Sequence, residues 1–289
     1  MSKLPDPAWI EKICLREFLY FIHRHRRYFI TFIAIYLYSL FAWRRTRLLR
    51  ASHCLAQHID DILDGDREVD IPPLAYVDEL LYQVETGNYS LNSPISALAC
   101  YVFNEAELQS TVDKNIRAEL LSLFKTLRVD RQRFEACQPL PKEQLDKQHH
   151  RTFIHAINIS LMITGSRLRA SDVPEMVGAL SWVSPMRDLR EDLQRGLINI
   201  PLEVVAQAQN EGASSLNYDD LITTRTLRDW IRQEFQRGQA SLNAIPARLR
   251  MLWPKRGTLE IWAFYMEIKR YAARYARNHR DILESSWND

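Results

Sequence analysis

Glycine is scarce in this sequence. Only 8 of 289 residues are glycine, few for a fold rich in tight turns and consistent with long helices. No stretch alternates apolar and polar residues cleanly over strand length, so a sheet is not expected. No Gly-rich phosphate loop, nucleophile elbow or dinucleotide fingerprint occurs. Cys14, Cys54, Cys100 and Cys137 have neither a pairing nor a metal spacing, and they read as reduced thiols of a cytoplasmic protein. His149, His150 and His155 lack the i, i+4 spacing and the glutamate of a zinc motif, and read as structural or exposed. The formal charge of +2 gives no argument for nucleic acid. No secretory signal is expected, because the apolar run near the N-terminus begins too late and no small-residue cleavage site follows it. No hydrophobic anchor is expected at Asp289, and internal repeats and low-complexity segments are absent.

What is present is helical texture. Hydrophobic residues are 46% and charged residues 26%, the balance of a globular protein, and the length suits one large core. The expectation is a single all-α domain over residues 1–289. A first helix runs from about Trp9 to Arg27 and ends in a basic cluster, His23-Arg-His-Arg-Arg27, that reads as a solvated face. Tyr28–Trp43 is uncharged but shorter than the roughly 20 apolar residues that span a bilayer. It reads as a buried helix, with a membrane-dipping surface as the alternative. Further helices are expected over Leu74–Thr86, Pro94–Gln109, Thr111–Cys137, Lys142–Arg169, Thr224–Leu249 and Gly257–Leu283. The polar stretch Asn210–Asp220 reads as a loop.

Two stretches carry chemistry. In His53-Cys-Leu-Ala-Gln-His-Ile-Asp-Asp-Ile-Leu-Asp64, helical spacing stacks Asp60 over Asp64, with Asp61 beside them and Gln57 and His53 one and two turns earlier. Leu55, Ile59, Ile62 and Leu63 form the apolar back of that helix. Carboxylates aimed one way repel each other, and a divalent cation with a preference for hard oxygen ligands, such as Mg²⁺, removes the conflict. A solvated acidic face is the bland alternative. The second stretch, Trp182-Val-Ser-Pro-Met-Arg-Asp-Leu-Arg-Glu-Asp192, again sets Asp188 and Asp192 at i and i+4. Ser184 continues their face upward and Arg195 downward, Pro185 is expected to kink the helix, and Gly196 should end it. Two such helices could hold several Mg²⁺ ions across a cavity and draw off the charge of a diphosphate as its C–O bond breaks.

These residues resemble the squalene/phytoene synthase family of all-helical isoprenoid enzymes. Asp60-Asp-Ile-Leu-Asp64 is similar to its first aspartate-rich motif. Arg187-Asp-Leu-Arg-Glu-Asp192 with Arg195-Gly-Leu-Ile-Asn-Ile-Pro201 is similar to its second, usually Asn-x-x-Arg-Asp-x-x-x-Asp with a downstream Arg-Gly-Arg-Ile-Tyr-x-Pro. The resemblance covers about 40 residues around these motifs. This chain departs from the family at Gln57 and His53, where Arg and Tyr are usual, and at Ser184, where Asn is usual. The Gly-x-Val-Gly of the middle helix is also missing, with Asn158–Gly165 in its approximate place.

The resemblance implies helices around a deep, largely apolar pocket, farnesyl or geranylgeranyl diphosphate as substrate and two or three Mg²⁺ ions, with Arg24, Arg26 and Arg27 as weak diphosphate candidates and Asn210–Asp220 as a plausible lid. Asp60, Asp64, Asp188 and Asp192 would be the principal metal ligands and catalytic residues, with Asp61 and Ser184 as lesser ligands. Arg187 and Arg195 would hold diphosphate, a task suited to arginine's rigid fork, joined by Gln57, His53, Tyr265 and Lys269. Head-to-head condensation of two prenyl diphosphates is the leading expectation. A terpene synthase acting on one is the alternative, and a non-catalytic scaffold or assembly factor the third.

Overall fold

The computed structural model describes residues 4–24, 36, 39–40, 43–44, 46–111 and 114–284. Arg26, Arg27 and most of the uncharged run Tyr28–Trp43 lie outside them. Among the described residues, twelve α-helices make up the regular structure, with one short 3₁₀ turn at Ala170–Asp172. Among the described residues there is no strand, only an isolated bridge between Thr111 and Lys114. The fold is all-α, as expected.

Within the domain expected over 1–289, the chain forms two compact units. Unit 1 comprises residues 1–131 and 158–165, and unit 2 comprises 132–157 and 166–289. Unit 1 is built from α1 (Pro7–Arg24), α2 (Arg47–Leu63), α3 (Pro73–Thr86), α4 (Pro94–Gln109) and most of α5 (Ile116–Ala136). The unit boundaries fall inside α5 and inside α6 (Lys142–Ile163). Unit 2 continues with α7 (Pro174–Arg195), α8 (Leu202–Asn210), α9 (Tyr218–Leu221), α10 (Arg225–Leu252), α11 (Thr258–Asn278) and α12 (Arg280–Glu284).

Several helix ends differ from the sequence reading. α5 starts at Ile116, because the Ser110 hydroxyl accepts the Ile116 amide at 3.2 Å and Thr111 and Lys114 close a turn on each other. α6 stops at Ile163, short of Arg169, where the Gly165 amide turns back to Met162. The last predicted helix is two helices, broken at His279. Inside Asn210–Asp220, α9 begins at Tyr218. α7 is one unbroken run through Pro185.

α2 is the scaffold of unit 1. Its apolar back is fully used: Leu55, Ile59 and Ile62 are completely buried and Leu63 nearly so, against α1, α3 and α4. Burying each such side chain contributes roughly 1.5–3 kcal/mol, so the helix cannot rotate and its acidic positions are fixed away from that packing. In unit 2, α7 packs chiefly against α10 and also against α11. The wholly buried Trp182 of α7 meets Phe235 and Tyr275 edge-on. A Cβ added at Gly238 of α10 would fall 2.0 Å from the Trp182 ring, so only glycine lets the two helices approach this closely.

Candidate functional site

The first acidic group sits at the C-terminal end of α2. Asp61 is buried, Asp60 half-buried and Asp64 exposed. Burial pushes the Asp60 carboxyl well above the usual carboxylate range, and the charges of Asp64, Asp61 and Asp130 push it further. The Gln57 amide relieves part of this strain, donating to Asp61 Oδ1 at 2.9 Å and to Asp60 Oδ2 at 3.3 Å. Gln57 is thus engaged with the carboxylates. His53, placed with the substrate-binding residues by its spacing, is lowered by burial to a pKa of about 4. At neutral pH it brings no positive charge to a diphosphate.

Behind these carboxylates lies a polar network that the sequence reading missed. After Gly65 the chain returns, and the amides of Asp66 and Arg67 both donate to the Asp61 carbonyl at 2.8 Å. Arg67 then reaches Glu17 of α1, with Nη1 donating to Oε2 at 2.7 Å, and lies over the Tyr20 ring. His58 Nδ1 is 3.0 Å from the same Glu17 oxygen and its Nε2 is 3.2 Å from the Tyr76 hydroxyl. Burial pushes Glu17 up, but His58 and Arg67 outweigh it and hold the carboxyl at about 2. Burial lowers His58, against the pull of Glu17. The network fixes the last turn of α2 to α1 and α3, and so fixes the acidic group. Asp130, on α5, was missed as well. Only its place among Arg128-Val-Asp-Arg-Gln-Arg133 could have marked it.

The second acidic group is arranged differently. Arg187 grips Asp188 with the Nε–Nη2 edge of its guanidinium, its Nε 2.9 Å from each carboxylate oxygen and its Nη2 on Oδ2, and its guanidinium carbon lies 5.5 Å from the centre of the Tyr271 ring. Asp192 accepts the Asn199 side-chain amide at 2.8 Å. Asn199 Oδ1 is met in turn by the Arg133 guanidinium at 3.2 Å and by His149 Nε2 at 3.3 Å. The turn that carries Asn199 begins at Gly196, whose φ of 97° sets the left-handed cap and lets the Leu197 amide return to the Asp192 carbonyl at 2.9 Å. Ser184 is half-buried on the same helix and Arg195 exposed. On α11, Tyr265 and Lys269 pair with each other, the ammonium 5.8 Å from the ring centre. Asn199 was within the motif but had been given no role; its signal was a polar residue between two buried isoleucines, Ile198 and Ile200.

The segment after α8 is held by its own side chains. The Asp220 carboxylate accepts from the amides and hydroxyls of Ser214 and Ser215, and Asp219 accepts from Arg190 of α7 at 2.9 Å.

The donors fit Mg²⁺ in type, since they are hard carboxylate oxygens, and Asp60 sits in a field that a cation would relieve. Among the described residues, however, no group of three or more His, Cys, Asp or Glu side chains is placed to hold a metal ion. The oxygen donors suit a substrate-borne metal, one whose remaining ligands are diphosphate and water. Comparison with protein-family models and with curated proteins finds no match, so the family resemblance rests on the two motifs alone.

Proposed function

We propose that the chain is a Mg²⁺-dependent isoprenoid enzyme that ionises farnesyl or geranylgeranyl diphosphate and forms carbon–carbon bonds by head-to-head condensation. The observation that carries the reading is the Asp60 carboxyl, raised by its own burial and by Asp61, Asp64 and Asp130. Such crowding costs stability in the absence of a cation, and a substrate arriving with Mg²⁺ would relieve it. Asp60 and Asp61 of α2, with Asp64 at its C-cap, would be metal ligands, as would Asp188, Asp192 and Ser184 of α7. When bound, Mg²⁺ supplies a Lewis acid that stabilises the departing diphosphate. Arg187 would release Asp188 to take phosphate oxygens, and Arg195 would serve beside it. Gln57 aligns Asp60 with Asp61, while Glu17, His58 and Arg67 hold the helix end that presents them.

One observation favours the single-substrate alternative, a terpene synthase. Gln57 is spent on carboxylates and His53 is neutral at pH 7, which leaves fewer groups to grip a second diphosphate.

The test is incubation of folded protein with Mg²⁺ and each prenyl diphosphate, following pyrophosphate release and the mass of extracted hydrocarbons. Products with twice the substrate's carbons support condensation, and products with the same number support the terpene synthase. Asp60→Asn should lower turnover by about 10²–10³-fold, as loss of one electrostatic stabiliser commonly does. No pyrophosphate from either substrate would remove the enzymatic reading and leave the scaffold.

A further inference from the structure

The α10–α11 corner of unit 2 exposes apolar surface that neither acidic group uses. Met251, Trp253, Leu259, Trp262 and Met266 are each between 44% and 73% exposed. Isolated exposed apolar residues are ordinary, but five of them gathered between residues 251 and 266 point to an interaction surface. Leu259, Trp262, Ala263 and Met266 follow the spacing of one helical face, and all four are exposed. Met251 and Trp253 reach the same corner from the end of α10, across a short turn. That turn is pinned: the Ser166 hydroxyl donates to the Arg256 carbonyl at 2.6 Å, and the Thr258 hydroxyl to the Lys255 carbonyl at 2.8 Å. The apolar side chains are therefore presented by a fixed backbone.

Their surroundings identify the partner. Arg250, Lys255 and Arg256 are exposed around the turn, and Lys269 and Arg270 continue the α11 face one turn beyond Met266. Between residues 250 and 270 the only acids are Glu260 and Glu267, both half-buried. Two tryptophans, two methionines and a leucine ringed by exposed cations suit an anionic lipid surface. Indole favours the headgroup boundary, aliphatic and thioether groups enter the acyl region, and Lys and Arg meet lipid phosphates. No helix among the described residues is long and apolar enough to cross a membrane, so the contact would be peripheral.

We infer that the α10–α11 corner is a membrane-docking surface that inserts Trp253, Leu259 and Trp262 into the headgroup region of anionic phospholipid bilayers. This does not depend on the proposed enzymatic activity, and its test needs no substrate. Purified full-length protein is sedimented with phosphatidylcholine vesicles and with mixed phosphatidylcholine–phosphatidylserine vesicles. Two surface variants accompany it, Trp253→Ser/Leu259→Ser/Trp262→Ser and Lys255→Ala/Arg256→Ala, each checked for an unchanged melting temperature. The wild type should partition to the mixed vesicles and weaken with added salt. The apolar variant should lose binding, and the basic variant should weaken about thirtyfold, as expected for two juxtamembrane cations. Equal partitioning to both vesicle types, or full binding by the apolar variant, would overturn the inference. So would a wild-type dimer in sedimentation velocity that the apolar variant abolishes without any vesicle binding, since the face would then serve a second copy of the chain.

Discussion

The aspartates of α2 and those of α7 share an i, i+4 spacing but not a neighbourhood. On α2, Asp60 is pressed by its own burial and by Asp64, Asp61 and Asp130, with the Gln57 amide as relief. On α7, Asp188 is clasped by Arg187 and Asp192 is capped by Asn199. The helices are also anchored by different means. A buried ionic network of Glu17, His58 and Arg67 holds the end of α2, whereas aromatic packing against Gly238 holds α7. The same sequence pattern thus yields one group crowded by like charges and another already balanced by protein donors. Spacing sets which residues share a face. The partners that meet that face set its electrostatics.

The anchors can be broken first, where the effect is largest. Gly238→Ala would drive a methyl group into the Trp182 ring, and overpacking of this kind costs roughly 3 kcal/mol or more when neither helix can yield. The urea midpoint should fall strongly. An unchanged midpoint would mean that α7 is not held by this contact.

The ionic anchor of unit 1 responds to pH. Glu17 has a folded pKa of about 2 against an ordinary 4.5. Its contribution is therefore present above pH 4.5 and is lost as pH falls towards 2. At about 1.4 kcal/mol per pKa unit this amounts to roughly 3 kcal/mol. His53 adds to the same trend at higher pH. Its folded pKa of about 4 lies below the ordinary 6.5, so the unfolded chain takes up the proton first and stability falls from pH 6.5 downward. In an Asp60→Asn background, which removes the carboxyl whose raised pKa works in the opposite direction, a urea midpoint that declines from 6.5 and again below 4.5 is expected. Glu17→Gln should remove the lower step while leaving the upper one.

How much of this was legible in the sequence follows the same division. The helices were legible, because apolar periodicity and Pro or Gly punctuation are local. Leu55, Ile59 and Ile62 on α2 and Leu189 and Leu193 on α7 are buried as their spacing required. Helix ends governed by side-chain caps were not, as at Ser110 and Ile116. The acidic positions were legible too, but their state was not. Asp130, Glu17 and Arg67 come from other parts of the chain, and Asn199 gains its role only through the turn at Gly196. Gln57 and His53 were read as groups facing substrate, and the structure engages one with carboxylates and neutralises the other. Residues distant in sequence determine charge state, and one chain without its contacts cannot display them.

The finest test of the comparison removes one carboxylate from each helix. Asp60 has a folded pKa well above its ordinary 3.8. Protonation therefore favours the folded state, and stability is lost as pH rises through the folded pKa. Above its ordinary pKa the Asp60 carboxyl is a net cost to the fold, and Asp60→Asn, which keeps the shape and removes the titrating group, should raise stability at neutral pH. Asp188→Asn does the reverse. It leaves the Arg187 guanidinium beside a neutral amide, and the loss of a part-exposed bidentate ion pair should lower stability by about 1 kcal/mol. Mg²⁺ with pyrophosphate should then raise the melting temperature of the wild type and much less that of Asp60→Asn, since the relief of repulsion that the cation provides has already been made. Destabilisation by both substitutions would show that the α2 carboxylates are structurally balanced like those of α7, and the electrostatic basis for a cation at α2 would be gone.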